Sequence, residues 1–340
     1  MKKPMRIGWL ILVTAGIYTP TLFSQGAAEP LQIYWIDVDG GSSTLIVTPG
    51  GDSILMDAGW NREDARDAQR IQSAMADAGV SEINYFIASH FHGDHVGGTP
   101  ALAKRVEIHQ FFDHGESVET DTERGRIAWE TYLSVAQGNR QTVQPGDSLP
   151  LTGADFRFVS ADREVINPSD SELNPLCGPA TVDEDLGENS RSVGYQITIG
   201  DFEFLDLGDM TADVQHSAAC PTNRLGMVDI LQVPHHGTQL AAELMWALAP
   251  TVAVSNNGAT KGGNANDLAK ILQSPGLDDF WQVHYASAAP ADLNAEAVMT
   301  ANLTAENDQG HWIKATINSD GTSYEITNDR NNYSKRYQTK

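Results

Sequence analysis

The chain has 340 residues, 41% hydrophobic and 20% charged, with 22 Lys and Arg against 45 Asp and Glu and a formal net charge of −23. That length suffices for one large core, and no linker-like tract divides it. So acidic a surface repels polyanions and argues against sequence-independent nucleic-acid binding, although a bound metal pair would reverse the sign locally.

The N-terminus is basic at Met1-Lys2-Lys3-Pro4-Met5-Arg6, apolar at Ile7-Gly8-Trp9-Leu10-Ile11-Leu12-Val13, and small at Ser24-Gln25-Gly26-Ala27-Ala28. This layout predicts a secretory signal peptide over 1–28, cleaved after Gly26 or Ala28. An uncleaved membrane anchor is the alternative, disfavoured by a short apolar run broken by Thr, Gly and Pro. Loss of Lys2, Lys3 and Arg6 would take the formal charge from −23 to about −26. Residues 29–340 then read as a single secreted or periplasmic domain, without a stable membrane span. Its motif core covers about 31–258, and C-terminal helices and a hairpin fill 259–330. Two cysteines in an oxidising compartment favour one disulfide, Cys177–Cys220, over two free buried thiols.

Strands are expected at 31–36, 43–47 and 53–56, separated by Asp-Gly-Gly and Pro-Gly-Gly-Asp turns, the third ending at Asp57-Ala58-Gly59. A helix over 62–78 places Ala68, Ile71, Met75 and Ala78 on one face. The strand 83–88 delivers His90-Phe91-His92-Gly93-Asp94-His95, and a short helix at 98–104 leads to a strand 106–112 ending in Asp113-His114-Gly115. A helix follows at 123–136, then hairpins and loops over 140–190. Strands 192–199 and 202–207 flank the Gly200-Asp201 turn and lead to Gly208-Asp209. The strand 228–233 runs into Val233-Pro234-His235-His236-Gly237-Thr238. Helices at 239–248, 264–273 and 291–303 alternate with strands at 251–255 and 280–284, and a hairpin closes at 312–318 and 323–327. Pattern alone gives an α/β or α+β fold.

Imidazole and carboxylate are the side chains that hold Zn²⁺ at neutral pH, and three histidines and an aspartate stand within six residues at 90–95. Side chains two apart on a tight turn converge on one ion, so His90 and His92 suit one metal. Asp94 and His95 then face a neighbouring one. Two divalent ions are expected, zinc first, with manganese or iron as alternatives.

His-x-His-x-Asp-His after a strand resembles the signature of the metallo-β-lactamase superfamily. The Pro-His-His-Gly-Thr segment is similar to that of its ComEC-like branch. The resemblance spans about 31–258 and implies a four-layer αβ/βα sandwich of two mixed sheets with helices outside. It also implies that Asp57 lies behind the histidine loop and orients it, that Asp209 bridges the ions, and that His235 or His236 completes the second site. His235 is preferred as the ligand, leaving His236 to face substrate or reacting water. The pattern departs at one point: Asn189 stands where lactamases, lactonases and glyoxalase-type members carry a histidine. Either His114 completes the first site, the preferred reading, or Asn189 and water do. Asn256 and Lys261 occupy the place of substrate-facing polar groups, Lys261 as a point charge for phosphate. His109, Trp281 and His284 read as structural residues.

These features together predict a secreted dinuclear hydrolase that attacks a phosphodiester or related phosphoester through a metal-bound hydroxide. Asp94 would orient the nucleophile and His236 protonate the leaving group. The acidity favours a small-molecule or headgroup-type substrate over nucleic acid. A carbon-centred hydrolase of lactone, β-lactam or thioester is the alternative, and an inactive metal-stabilised binding domain is another of a different class.

Overall fold

The computed structural model describes residues 1, 29–62, 64–179, 183–305 and 309–340. The expected signal peptide falls almost wholly on 2–28, outside the described residues.

In chain order the first half comprises β1 (Leu31–Trp35), β2 (Thr44–Val47), β3 (Ser53–Met56), α1 (Arg66–Ala78), β4 (Glu82–Ile87), α2 (Gly93–Val96), α3 (Thr99–Ala103), β5 (Glu107–Asp113), α4 (Glu123–Ala136) and β6 (Arg140–Thr142). Next come β7 (Asp155–Ala161), β8 (Glu164–Val165), β9 (Glu172–Leu173), β10 (Gly194–Ile199), β11 (Phe202–Asp206), α5 (Ala212–Ala219), β12 (Thr222–Asn223) and β13 (Ile230–Gln232). The chain finishes with α6 (Ala242–Leu248), β14 (Val252–Ser255), α7 (Ala265–Leu272), β15 (Asp279–His284), β16 (Thr300–Asn302), β17 (Ile313–Ile317), β18 (Ser323–Asn328) and β19 (Tyr333–Gln338).

Among the described residues these strands form a nine-stranded mixed sheet, β19-β18-β17-β1-β2-β3-β4-β5-β6, and an eight-stranded one, β16-β15-β14-β13-β11-β10-β7-β8. A small pair, β12-β9, stands apart and lies beside the Cys177–Cys220 disulfide.

Period-two alternation explains the layering. In β1, Ile33 and Trp35 enter the large core shared with Phe204 and Tyr195 of the second sheet, whereas Tyr34 points to the opposite face with Ile71 and Met75 of α1. The first sheet is therefore buried on both sides, by the second sheet and by α1, α3 and α4. Leu244 of α6 and Leu268 of α7 extend the large core beyond the second sheet, giving the expected four layers. Among the described residues, no helix is long and apolar enough to cross a membrane.

Several expectations about elements need correction. The first helix starts at Arg66, because Ala65 adopts a left-handed φ of 55°. Within 140–190 the expected hairpin is formed by β7 and β8, and Phe156 and Phe158 of β7 are buried where it pairs with β10. Helix α5 and strand β19 were not expected at all.

The predicted helix 291–303 is instead one 3₁₀ turn, Ala291–Leu293, followed by β16. Here tertiary bonding overrides local propensity. Gln282 Oε1 accepts the Ala295 amide at 2.7 Å, and the Asn328 side chain bonds the Val298 and Thr300 carbonyls. The segment then adds to β15 as a parallel edge strand.

Candidate metal centre

The parallel strands β3, β4, β11, β13 and β14 end side by side, and the loops leaving them carry the site. Asp57, just past β3, has a left-handed φ of 63° that turns its carboxylate under the next loop. Its Oδ1 accepts the Ser89 amide at 2.8 Å, and its Oδ2 accepts Ser89 Oγ at 2.7 Å and faces His95 Nδ1 at 2.6 Å. Ser89 Oγ also lies 3.0 Å from His90 Nδ1. Both imidazoles are thus held by their outer nitrogen, which leaves Nε2 to point inward.

Four ligand-type atoms gather there: Asp94 Oδ2, His95 Nε2, Asp209 Oδ2 and His236 Nε2. His95 Nε2 is 3.4 Å from Asp94, 3.2 Å from Asp209 and 3.3 Å from His236 Nε2. His236 Nε2 is 3.2 Å from Asp209 and 3.5 Å from Asp94. All four residues are buried. Beside them, His90 Nε2 is buried without a hydrogen-bond partner, 4.0 Å from Asp209 Oδ2. A buried imidazole nitrogen aimed at a carboxylate, with nothing to bond, suits a cation that both would ligate.

The electrostatics agree. Burial, then His95 and His92, hold His90 well below the usual histidine range, so it is a neutral imidazole, the form that ligates metals. Burial opposes the charge on Asp209, yet His236, His95 and His235 outweigh it and hold this carboxyl well below its usual range. His95 is raised: burial disfavours its charge, but Asp209, Asp57 and Asp94 outweigh that.

Several sequence expectations change at this point. His236, not His235, belongs to the compact group, and its Nδ1 faces Asn256 Oδ1 at 3.2 Å. Asn256 is thus engaged by the His236 ring, and its amide reaches on to Ser42 Oγ at 3.2 Å. His235 Nε2 is 3.8 Å from Asp209 Oδ2 and 3.0 Å from Asn189 Nδ2, so it stands toward the other side of Asp209. Both histidines take left-handed φ values, 51° and 54°. Two non-glycine residues in that region cost about 1–3 kcal/mol each. The Gly208 carbonyl accepting from His235 N and the His236 carbonyl accepting from Gly263 N hold them there.

His114 is not brought to the centre. Its Nε2 lies 3.0 Å from Glu188 Oε2 and its ring packs on Phe91, and no bond among the described residues joins it to the other candidate ligands. Lys261 Nζ contacts Asp94 Oδ2 and the Gly40 carbonyl and lies 5.2 Å from the Trp60 ring centre.

Sequence reasoning missed Ser89, Ser42, Glu119 and Glu188. Only Ser89 had a local signal, its place immediately before the histidine motif. Glu119 Oε2 sits 3.1 Å from His92 Nε2, a pairing across a 27-residue separation. His109 lies exposed beside Glu82 and Glu107, and His284 is buried against Asp37 at 2.7 Å.

The profile described as "Metallo-beta-lactamase superfamily" matches residues 36–165, which contain Asp57 and the whole 90–95 motif. Over these residues the chain is similar to the metallo-β-lactamase superfamily. Among curated relatives, a UPF0173 metal-dependent hydrolase of Cupriavidus taiwanensis is 31% identical over 56% of this chain and 60% of its own length. Recombination protein 2 of Haemophilus influenzae is 24% identical over 71% of this chain and 26% of its own. This chain therefore spans between about a quarter and three fifths of these relatives' lengths. Among solved structures, the metallo-beta-lactamase fold protein YhfI of Bacillus subtilis matches at 12% identity with a TM-score of 0.44, covering 75% of this chain and 96% of that one.

Proposed function

We propose that the protein is a secreted, metal-dependent hydrolase that cleaves a phosphodiester or related phosphoester of a small-molecule or headgroup-type substrate. The observation that carries the metal dependence is the buried quartet Asp94, His95, Asp209 and His236, with the unpartnered His90 Nε2 beside it. Asp94, His95, Asp209 and His236 would hold one divalent ion, and His90, His92 and His235, with Asp209 shared, would hold the other. The mixed nitrogen and oxygen donors suit zinc, with manganese or iron as alternatives. Divalent ions held by these residues would activate water near neutral pH and stabilise developing oxyanion charge.

The chain's own groups do the rest. Asp57, Ser89 and Asn256 fix the tautomers of His95, His90 and His236, so the inner nitrogens are available without rearrangement. Lys261, partly exposed at the rim, presents an ammonium that can donate to a phosphate oxygen or to the leaving group. It takes the role the sequence had assigned to His236, which the compact group engages. Asn189 in the place of a histidine, together with the doubled histidine at 235–236, favours phosphorus over carbon as the site of attack.

The test is metal content by plasma emission, followed by hydrolysis of bis(p-nitrophenyl) phosphate, nitrocefin and a simple lactone by the wild type and His92→Ala. Phosphodiesterase activity that falls on the order of 100-fold in the variant is expected. Turnover of nitrocefin or the lactone alone would move the reading to carbon-centred hydrolysis. Identical rates for wild type and variant on all three would leave only a binding domain.

A further inference from the structure

Three inward-facing histidines have an outer partner on their second nitrogen: Asp57 for His95, Ser89 for His90 and Asn256 for His236. His92 also has one, but it comes from a segment the sequence left unassigned. We propose that Glu119 and Glu188 form an interlocked pair of positioning carboxylates, which fixes the tautomer of His92 and the seating of its loop for the first metal ion. The inference rests on the two-ion reading given above.

Glu119 spans two donors. Its Oε2 lies 3.1 Å from His92 Nε2, and its Oε1 accepts the backbone amide of Glu188 at 3.0 Å. Glu188 in turn is a buried carboxylate surrounded by donors. Its Oε1 accepts Ser117 Oγ and the Val118 amide, both at 2.7 Å. Its Oε2 accepts the Phe91 amide at 3.1 Å and faces His114 Nε2 at 3.0 Å. Phe91 is the residue between His90 and His92, and Asn189 follows Glu188 directly. The loop 114–119, the histidine loop and the Asn189 segment are therefore tied in a closed circuit by two side chains. Among the described residues, no Lys or Arg forms an ion pair with either glutamate.

Chemistry makes the carboxylate necessary. An ionised carboxylate only accepts, so the proton on His92 sits at Nε2 and the lone pair is at Nδ1, free for a metal. Glutamine at 119 has a single acceptor oxygen. It can satisfy either the Glu188 amide or His92, never both. If its amide nitrogen turns to His92, the imidazole must accept at Nε2, and its proton moves to Nδ1.

Glu119→Gln tests this in the full chain, with the exposed Glu130→Gln as control. Three quantities are read: zinc affinity by competition with a chromophoric chelator, the visible spectrum of the cobalt-loaded protein, and the His92 tautomer by ¹⁵N NMR. One of two ions is expected to bind about 10- to 100-fold more weakly in Glu119→Gln, with an altered cobalt spectrum and, for the metal-free protein, an unchanged melting temperature. His92→Ala should lose the same ion, and the double variant should lose no more. Glu188→Gln should weaken the same ion while the control stays at wild type. Two ions at wild-type affinity in Glu119→Gln would overturn the proposal, as would a wild-type His92 protonated at Nδ1. If the wild type binds no ion the two-ion reading fails, and the tautomer measurement still decides the role of Glu119.

Discussion

Asp57 illustrates how much one side chain can organise when each of its oxygens has a defined donor. With both oxygens committed to Ser89 and His95, replacement by Asn places an amide hydrogen against one of those donors. Asp57→Asn is expected to lower zinc affinity about 10- to 100-fold, measured by chelator competition on folded protein. Asp206 shows the opposite situation. It is fully buried, and burial pushes its carboxyl up to about 7, with Asp57 and Asp209 adding to the rise against the Gly208 amide bond. The raised value means that the folded metal-free protein keeps this proton while the unfolded chain, near 3.8, has lost it. Its contribution to stability is thus complete below about pH 4 and lost as pH rises toward 7. Asp206→Asn should match the wild type near pH 4 and exceed it at pH 8, read as urea midpoints; no difference between the two pH values would refute the assignment.

At the scale of elements, the site depends on loops that approach more closely than a side chain allows. Gly262 has a φ of 80°, and a Cβ there would lie 2.3 Å from the His236 carbonyl oxygen and 2.7 Å from its Cβ. Gly262→Ala should displace the His235-His236 turn, costing about 1–3 kcal/mol of stability and weakening metal binding at least as much as loss of Asn256. Urea unfolding and zinc titration on one preparation check both. The same closeness explains why the glycine-rich 258–263 segment is ordered against the centre instead of forming a solvated loop.

Across the whole molecule, a chain of net charge −23 concentrates three carboxylates, Asp57, Asp94 and Asp209, at one buried point between the sheets. Their mutual repulsion is relieved when cations bind, so chelation should destabilise the fold as a whole. Ion at 100 times its dissociation constant contributes about 2.7 kcal/mol. Calorimetry with and without EDTA should therefore show a melting temperature lower by several degrees, restored by zinc.

The chain by itself determined which strand ends carry the chemistry. Period-two runs ending in Asp57, the 90–95 motif, Asp209 and the 235–236 pair are local patterns, and local alternation suffices to place a residue at the tip of a strand. Only the tertiary structure decided what those tips do to one another. The choice of His236 over His235 follows from two left-handed residues braced by Gly208 and Gly263. His114 went to Glu188, and Asn256 to His236, through contacts between segments 20 to 74 residues apart. The 291–303 stretch became an edge strand because Gln282 and Asn328 bond its backbone. Such partners meet only after two sheets have packed face to face, and no window along the sequence contains them.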